Sequence, residues 1–287
     1  MKEIIGYKNI LLRSIKIEDV SIGLRQVGEG RDLVFIHGFP THGYTWRKLI
    51  PKLSKRFRCN IVDLPGLGDS SWTDNTDFKS SSQAKYIIKL LKQENINKFS
   101  LIAHNSGATI ARAIAIKEQK KVENLILLNT EIPHHRPPWI LLYQKIGLLP
   151  TAPSIISKLL KQKWFIKSSM AFKELYTNKS MLDDENNVGP YLDPVTNSRT
   201  KLIGAFKYLK GIEWELIDKF EYTHKLIEAN VLFIWGNDDK TFPIKLAKEM
   251  TEQFKCKFEF VTIENASLLP HEEKPKEVIN SILKFFR

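Results

Sequence analysis

The segment Leu101-Ile102-Ala103-His104-Asn105-Ser106-Gly107-Ala108 carries an apolar strand straight into a helix through small residues. A sharp strand-to-helix turn of this kind exposes its central side chain for nucleophilic attack. Because that residue adopts a strained backbone, the residues two before and two after it must be small. Centring the turn on Asn105 puts Ala103 and Gly107 at those positions, whereas centring it on Ser106 puts the bulky His104 there. The apex is therefore read as Asn105, with Ser106 beside it. An ordinary strand, glycine and helix junction would use the same residues, so this segment alone leaves both readings open.

Three further segments favour the first reading. His37-Gly38-Phe39-Pro40 ends a strand in a tight turn, where a backbone N–H can point at a substrate oxygen. Asp63-Leu64-Pro65-Gly66-Leu67-Gly68-Asp69-Ser70 follows the next strand with paired glycines, and Trp235-Gly236-Asn237-Asp238-Asp239-Lys240-Thr241-Phe242-Pro243 leaves a late strand with an acid in place. His37 reads as a packed, hydrogen-bonded residue rather than a base, and Asp239 alone could simply cap a turn.

These turns need a frame. Leu33 to Ile36, Asn60 to Val62, Phe99 to Ala103, Val122 to Leu128, Val231 to Trp235 and Phe258 to Ile263 are short apolar runs rich in β-branched residues. Between them lie helix-like stretches over Tyr44 to Leu53, over Ser80 to Gln93 and from Ser106 onward. That alternation predicts an α/β fold with a mostly parallel sheet and helices on both faces. Leu11 to Ile17 and Val20 to Gln26 predict an antiparallel hairpin leading in. The alternation stops between about Glu131 and Tyr222, where Trp139 to Tyr143, Ile155 to Leu160 and Lys201 to Leu209 look helical and greasy. This predicts a core of residues 1–132 and 223–287 with a helical cap over 133–222. Leu, Trp and Lys mix in the insertion, as in a membrane-surface element; a lid over a pocket is the reading adopted, since such apolar faces are usually buried.

With these four turns in this order, the chain resembles the α/β-hydrolase superfamily, and particularly its haloalkane dehalogenase and epoxide hydrolase-like branch, from about residue 20 to the C-terminus. The resemblance implies an eight-stranded sheet, a cap domain and no cofactor or metal. It implies that the backbone N–H groups of Phe39 and Ser106 form an oxyanion hole, and that Asp239, or failing it Glu131, orients a catalytic histidine. Cap tyrosines protonate the epoxide oxygen in epoxide hydrolases, which points to Tyr143, Tyr176, Tyr191 and Tyr208. His37, Glu131, Trp139, Tyr143 and Tyr208 are the expected substrate contacts. The dehalogenases hold halide with an Asn or Trp beside the oxyanion positions; Phe39 and Ser106 stand there, which disfavours dehalogenation.

Two residues depart from the pattern. The apex of this branch is normally an aspartate that attacks carbon, and here it is Asn105, whose neutral amide is a poor nucleophile. The base is normally a histidine seven residues before a proline; counting back from Pro275 reaches Leu268. Of the seven histidines only His271 lies in that loop, so it is the candidate base if the loop is rebuilt. Losing the nucleophile or base of such a triad costs ~10⁴ to 10⁶ in turnover. The expected function is that of a hydrolase-family protein holding a small, mostly apolar substrate with impaired turnover; the alternative is an inactive receptor or carrier.

Composition narrows the rest. The chain has 287 residues, and 44 Lys plus Arg against 32 Asp plus Glu give 44 − 32 = +12. With 43% hydrophobic and 26% charged residues it is an ordinary globular chain, not a disordered one. The lysines are scattered and interleaved with acids, so no nucleic-acid partner is expected. No apolar stretch reaches the ~20 residues of a spanning helix, and Met1-Lys2-Glu3-Ile4-Ile5-Gly6 lacks a signal peptide's apolar core. The expectation is a cytoplasmic protein, monomeric or homodimeric, with no membrane partner. Cys59 and Cys256 read as packing residues in strands.

Overall fold

Eight strands form one sheet in the order β1-β2-β4-β3-β5-β6-β7-β8. They are β1 (Leu12–Ile17), β2 (Val20–Val27), β3 (Arg31–Ile36), β4 (Phe57–Val62), β5 (Phe99–His104), β6 (Val122–Leu128), β7 (Asn230–Gly236) and β8 (Phe258–Ile263). The structure is a computed structural model and describes residues 6–287. The amino-terminal segment read for a signal peptide lies, apart from Gly6, outside the described residues. β2 pairs antiparallel with β1 and β4, and every pairing from β4 across to β8 is parallel. Leu33 to Ile36 in β3 and Leu101 to Ala103 in β5 are fully buried, which is why these strands read as unbroken apolar runs.

Helices α1 (Ile50–Leu53), α2 (Ser80–Gln93) and α3 (Ser106–Lys117) follow the early strands. The stretch expected as one helix over Tyr44 to Leu53 is split into a 3₁₀ turn, Gly43–Lys48, and α1. Pro51 explains the break, because it has no N–H to bond the carbonyl one turn back. Between β6 and β7 there are only helical elements: α4 (Pro138–Ile146), α5 (Ala152–Leu159), α6 (Lys163–Ile166), α7 (Glu185–Asn197), α8 (Arg199–Lys210) and α9 (Trp214–Thr223), with short 3₁₀ turns. α10 (Ile244–Thr251), α11 (Pro270–Glu273) and α12 (Pro275–Phe285) complete the chain.

Cys59 is buried in β4, as expected. Cys256 is not in a strand: it lies half-buried in the turn before β8, and both thiols are free. Among the described residues no helix is long and apolar enough to cross a membrane.

Candidate active site

The parallel strands end their C-terminal tips side by side, so that the turns after β3, β5, β6 and β7 crowd one edge, where open α/β sheets place ligands. At the tip of β5, Asn105 has φ 53° and ψ −133°, a region that costs a non-glycine residue about 1–3 kcal/mol. The strain is held by close packing. A Cβ on Gly107 would lie 2.1 Å from the His37 carbonyl oxygen, and one on Gly38 would lie 2.6 Å from the Asn105 Cβ. Two glycines thus clamp the turns after β3 and β5 together, and the strand-to-helix turn is centred on Asn105.

The Asn105 side chain folds back on its own helix. Its Oδ1 accepts the Ser106 N–H at 2.5 Å, which fixes the amide orientation, and its Nδ2 is buried with no partner among the described residues. The Phe39 N–H donates to Ser106 Oγ at 3.1 Å, and that hydroxyl shares a hydrogen bond of 2.8 Å with the Tyr208 hydroxyl. Both backbone donors expected to form an oxyanion hole are therefore engaged by neighbouring side chains.

Asp239 is buried just past β7. Its Oδ1 accepts the Thr241 and Phe242 N–H groups at 2.8 and 3.2 Å, and its Oδ2 accepts Asn129 Nδ2 at 2.7 Å. Burial pushes its carboxyl up to about 7 against the opposing pull of these three donors. Among the described residues no histidine hydrogen-bonds it. Leu268 is fully buried, and its carbonyl accepts His104 Nε2 at 2.8 Å.

His271, the candidate base, makes no hydrogen bond to the Asn105 side chain among the described residues; its ring lies 4.8 Å from that of His104. Pro270 starts α11, and one residue inside this turn the ring stacks on Trp46 at 4.7 Å. Its Nε2 bonds Thr45 Oγ1 at 2.7 Å. Burial first, then the nearby His104, Arg47 and Lys48, hold it well below the usual imidazole range.

Two of the expected substrate contacts are also spoken for. His37 has Nδ1 on the Gly38 carbonyl and Nε2 accepting the Leu64 N–H, and burial lowers it to about 4. It is a packed residue and does not line the cavity described below. Glu131 is fully buried, with Oε2 accepting from Thr109 and Thr130; burial raises its carboxyl despite Arg112, which donates to its backbone carbonyl.

Under the helices between β6 and β7 lies a cavity of about 80 Å³. Phe39 forms part of its wall on the sheet side; Trp139, Tyr143, Leu175, Tyr191 and Phe206 form part of the helical side. Phe39 also stacks on Tyr208 at 6.4 Å, which joins the cavity to Ser106 and the Asn105 turn. Of the four tyrosines expected in the cap, Tyr208 is the one that bonds at this turn among the described residues. Tyr143 donates to the Met170 carbonyl, and Tyr176 and Tyr191 donate to Glu272.

Asn129 and Thr45 escaped the sequence reading. Asn129 follows the apolar run of β6 with φ 29°, a conformation in which Asn is enriched, and that was a usable signal. Thr45 gave none, since its partners His271 and Glu272 are more than 200 residues away in sequence. Among the described residues no group of three or more His, Cys, Asp or Glu is arranged to hold a metal ion.

The chain matches a family model described as the alpha/beta hydrolase fold over residues 33–274. A soluble epoxide hydrolase of Corynebacterium sp. (strain C12) is 28% identical over 276 residues, 90% of this chain and 91% of that protein. Epoxide hydrolase 3 of Xenopus tropicalis is 23% identical over 300 residues, 95% of this chain and 76% of its own length. Among solved structures, the epoxide hydrolase CorEH without ligand superposes with a TM-score of 0.79 at 24% identity, covering 96% of this chain and 98% of that one. An alpha/beta hydrolase fold protein from Burkholderia ambifaria gives 0.81 at 19% identity, covering 95% and 97%. With its eight-stranded sheet, its strained turn at Asn105 and a family match over more than half its length, the chain belongs to the α/β-hydrolase fold family and within it is similar to epoxide hydrolases.

Proposed function

We propose that this protein binds a small, mostly apolar molecule in the cavity beneath its cap and hydrolyses it slowly or not at all. The observation that carries this reading is the bonding at the tips of β5 and β7. Asn105 is bonded to Ser106 and Asp239 to Asn129, with Leu268 buried where the relatives' pattern calls for an imidazole. An amide at the apex cannot form the ester intermediate that an aspartate would, and among the described residues no His, Asp or Glu side chain hydrogen-bonds the Asn105 amide. What the apex offers is a donor: the buried Asn105 Nδ2 would suit a ligand with an acceptor oxygen, such as an epoxide, ketone or ester, on an apolar body.

The similarity to epoxide hydrolases supports epoxides as the first ligands to test. Wild type, Asn105→Asp and Asn105→Asp/Leu268→His are compared on epoxides, activated esters and haloalkanes, with melting temperature followed in parallel. The expected result is a ligand-dependent rise in the wild-type melting temperature with turnover near background, and at least a tenfold gain in turnover for the double variant. Wild-type turnover equal to that of the double variant would refute the reading. So would a panel in which no compound shifts the wild-type melt.

A further inference from the structure

Residues 132–173 contain no Asp or Glu, while Lys145, Lys158, Lys161, Lys163 and Lys167 are all exposed there. Lys167 pairs with Asp183; the other four make no ion pair among the described residues. Large apolar side chains are exposed in the same stretch. Leu148 is 62% exposed, Leu149 57%, Ile155 54% and Trp164 66%, with Leu142 and Met170 also open. Part of the stretch has a defined frame: α4 and α5 pack on α8 through Tyr143, Ile146, Ala152, Ile156 and Leu159, which leaves Leu142, Lys145, Ile155 and Lys158 at the remaining positions, and the Tyr143 hydroxyl ties α4 to the Met170 carbonyl beyond α6.

We propose that the outer face of α4, α5 and α6 docks on an anionic phospholipid bilayer, its lysines against the headgroups and Leu148, Leu149, Ile155 and Trp164 in the interfacial layer. Charge alone would suit a nucleic acid equally well, but a phosphate backbone offers nothing to exposed Leu and Ile, whereas a bilayer surface takes both sets of groups. The 42 consecutive residues, 173 − 132 + 1, contribute no acid to this surface, and Asp183, which meets it from the next segment, is paired with Lys167. Met170 belongs both to this surface and to the cavity wall, so the apolar lining reaches the docking face. The inference goes beyond the proposed function and stands whatever the cavity holds; it also reverses the expectation of a protein with no membrane partner.

The test is vesicle co-sedimentation of the full chain at about 150 mM salt, with vesicles of phosphatidylcholine alone or with about 30% phosphatidylserine. Binding is expected to the anionic vesicles, at least tenfold weaker to the neutral ones, and accompanied by a tryptophan blue shift that Trp164→Phe reduces. Lys158→Glu/Lys161→Glu/Lys163→Glu should weaken binding by on the order of 100-fold at roughly 1 kcal/mol per lysine near the surface, and Leu148→Ser/Leu149→Ser should weaken it about tenfold. All substituted side chains are exposed, and unchanged melting temperatures verify that the variants fold. No binding to anionic vesicles overturns the proposal. So does binding that survives both variants, pelleting without vesicles, or equal affinity for a single-stranded RNA whose binding is indifferent to the Leu148 and Leu149 changes.

Discussion

His104 donates its Nε2–H to the Leu268 carbonyl, while its Nδ1 is buried without a partner among the described residues, so a second proton would bring a buried charge with no acceptor there. Burial accordingly lowers its titration from 6.5 to about 3. Between those values the unfolded chain carries the proton and the folded one does not, so this residue's contribution makes stability fall as the pH drops below 6.5. At pH 5 the loss is roughly 1.5 × 1.36, or about 2 kcal/mol. His104→Gln keeps a donor near the Leu268 carbonyl and does not titrate. Urea unfolding at pH 7 and pH 5 should therefore show wild type losing about 2 kcal/mol more than the variant; an equal loss would place the acid sensitivity elsewhere. Asp239 works in the opposite sense. Raised to about 7, it contributes stability below the ordinary carboxylate range that is lost as the pH rises through 7, and being common to both proteins it cancels in the comparison. The buried Asn105 amide is free to donate a hydrogen bond, and Asp239 holds Asn129.

At the scale of elements, α3 lies so close to the turn after β3 that its second residue must lack a side chain. Ser106 through Ala115 are all buried, and the run of Gly107, Ala108, Ala111, Ala113 and Ala115 lets the helix approach the sheet. Gly107→Ala would drive a methyl to 2.1 Å from the His37 carbonyl oxygen, a backbone atom that cannot swing aside. The expected cost is about 3 kcal/mol or more, read as a lower urea midpoint. Gly189→Ala, in α7, has 4.0 Å of clearance and should be neutral or slightly stabilising. Loss of stability in both, or in neither, would contradict the clamp. Elements of this kind were legible in sequence wherever one signal dominated: α2 spans Ser80–Gln93, β6 Val122–Leu128 and β8 Phe258–Ile263, as the apolar periodicity predicts. Tyr44 to Leu53, expected as one helix, is divided at Pro51.

For the whole molecule, Glu272 ties the helical segment to the sheet. Its carboxylate meets Arg47 at 3.1 Å, Thr45 at 2.8 Å and Tyr176 at 3.0 Å, and also accepts from Tyr191. Arg47 reaches on to Asn187 at 2.8 Å. Tyr176, Asn187 and Tyr191 come from the segment between β6 and β7, while Thr45 and Arg47 precede α1, so one buried carboxylate joins both layers. Removing it strands the Arg47 charge, which typically costs 3–5 kcal/mol. Glu272→Ala is expected to lower stability by about that amount and to speed proteolysis within residues 133–222 ahead of the sheet. Cleavage spread evenly over the chain would show that the two layers do not separate through this contact.

Local pattern in the chain carries the layered sheet and the small residues flanking Asn105, because each is a matter of periodicity or side-chain size. Only the tertiary structure decided the partners. Asn129 on Asp239, Ser106 on the Phe39 amide and Thr45 on His271 are hydrogen bonds between tips of strands and helices distant along the chain, and their geometry is set by sheet order rather than by neighbours in sequence. The same holds for the exposed Leu142 and Ile155 on α4 and α5. Periodicity identifies an apolar residue, but only packing against α8 determines which of them are left outside.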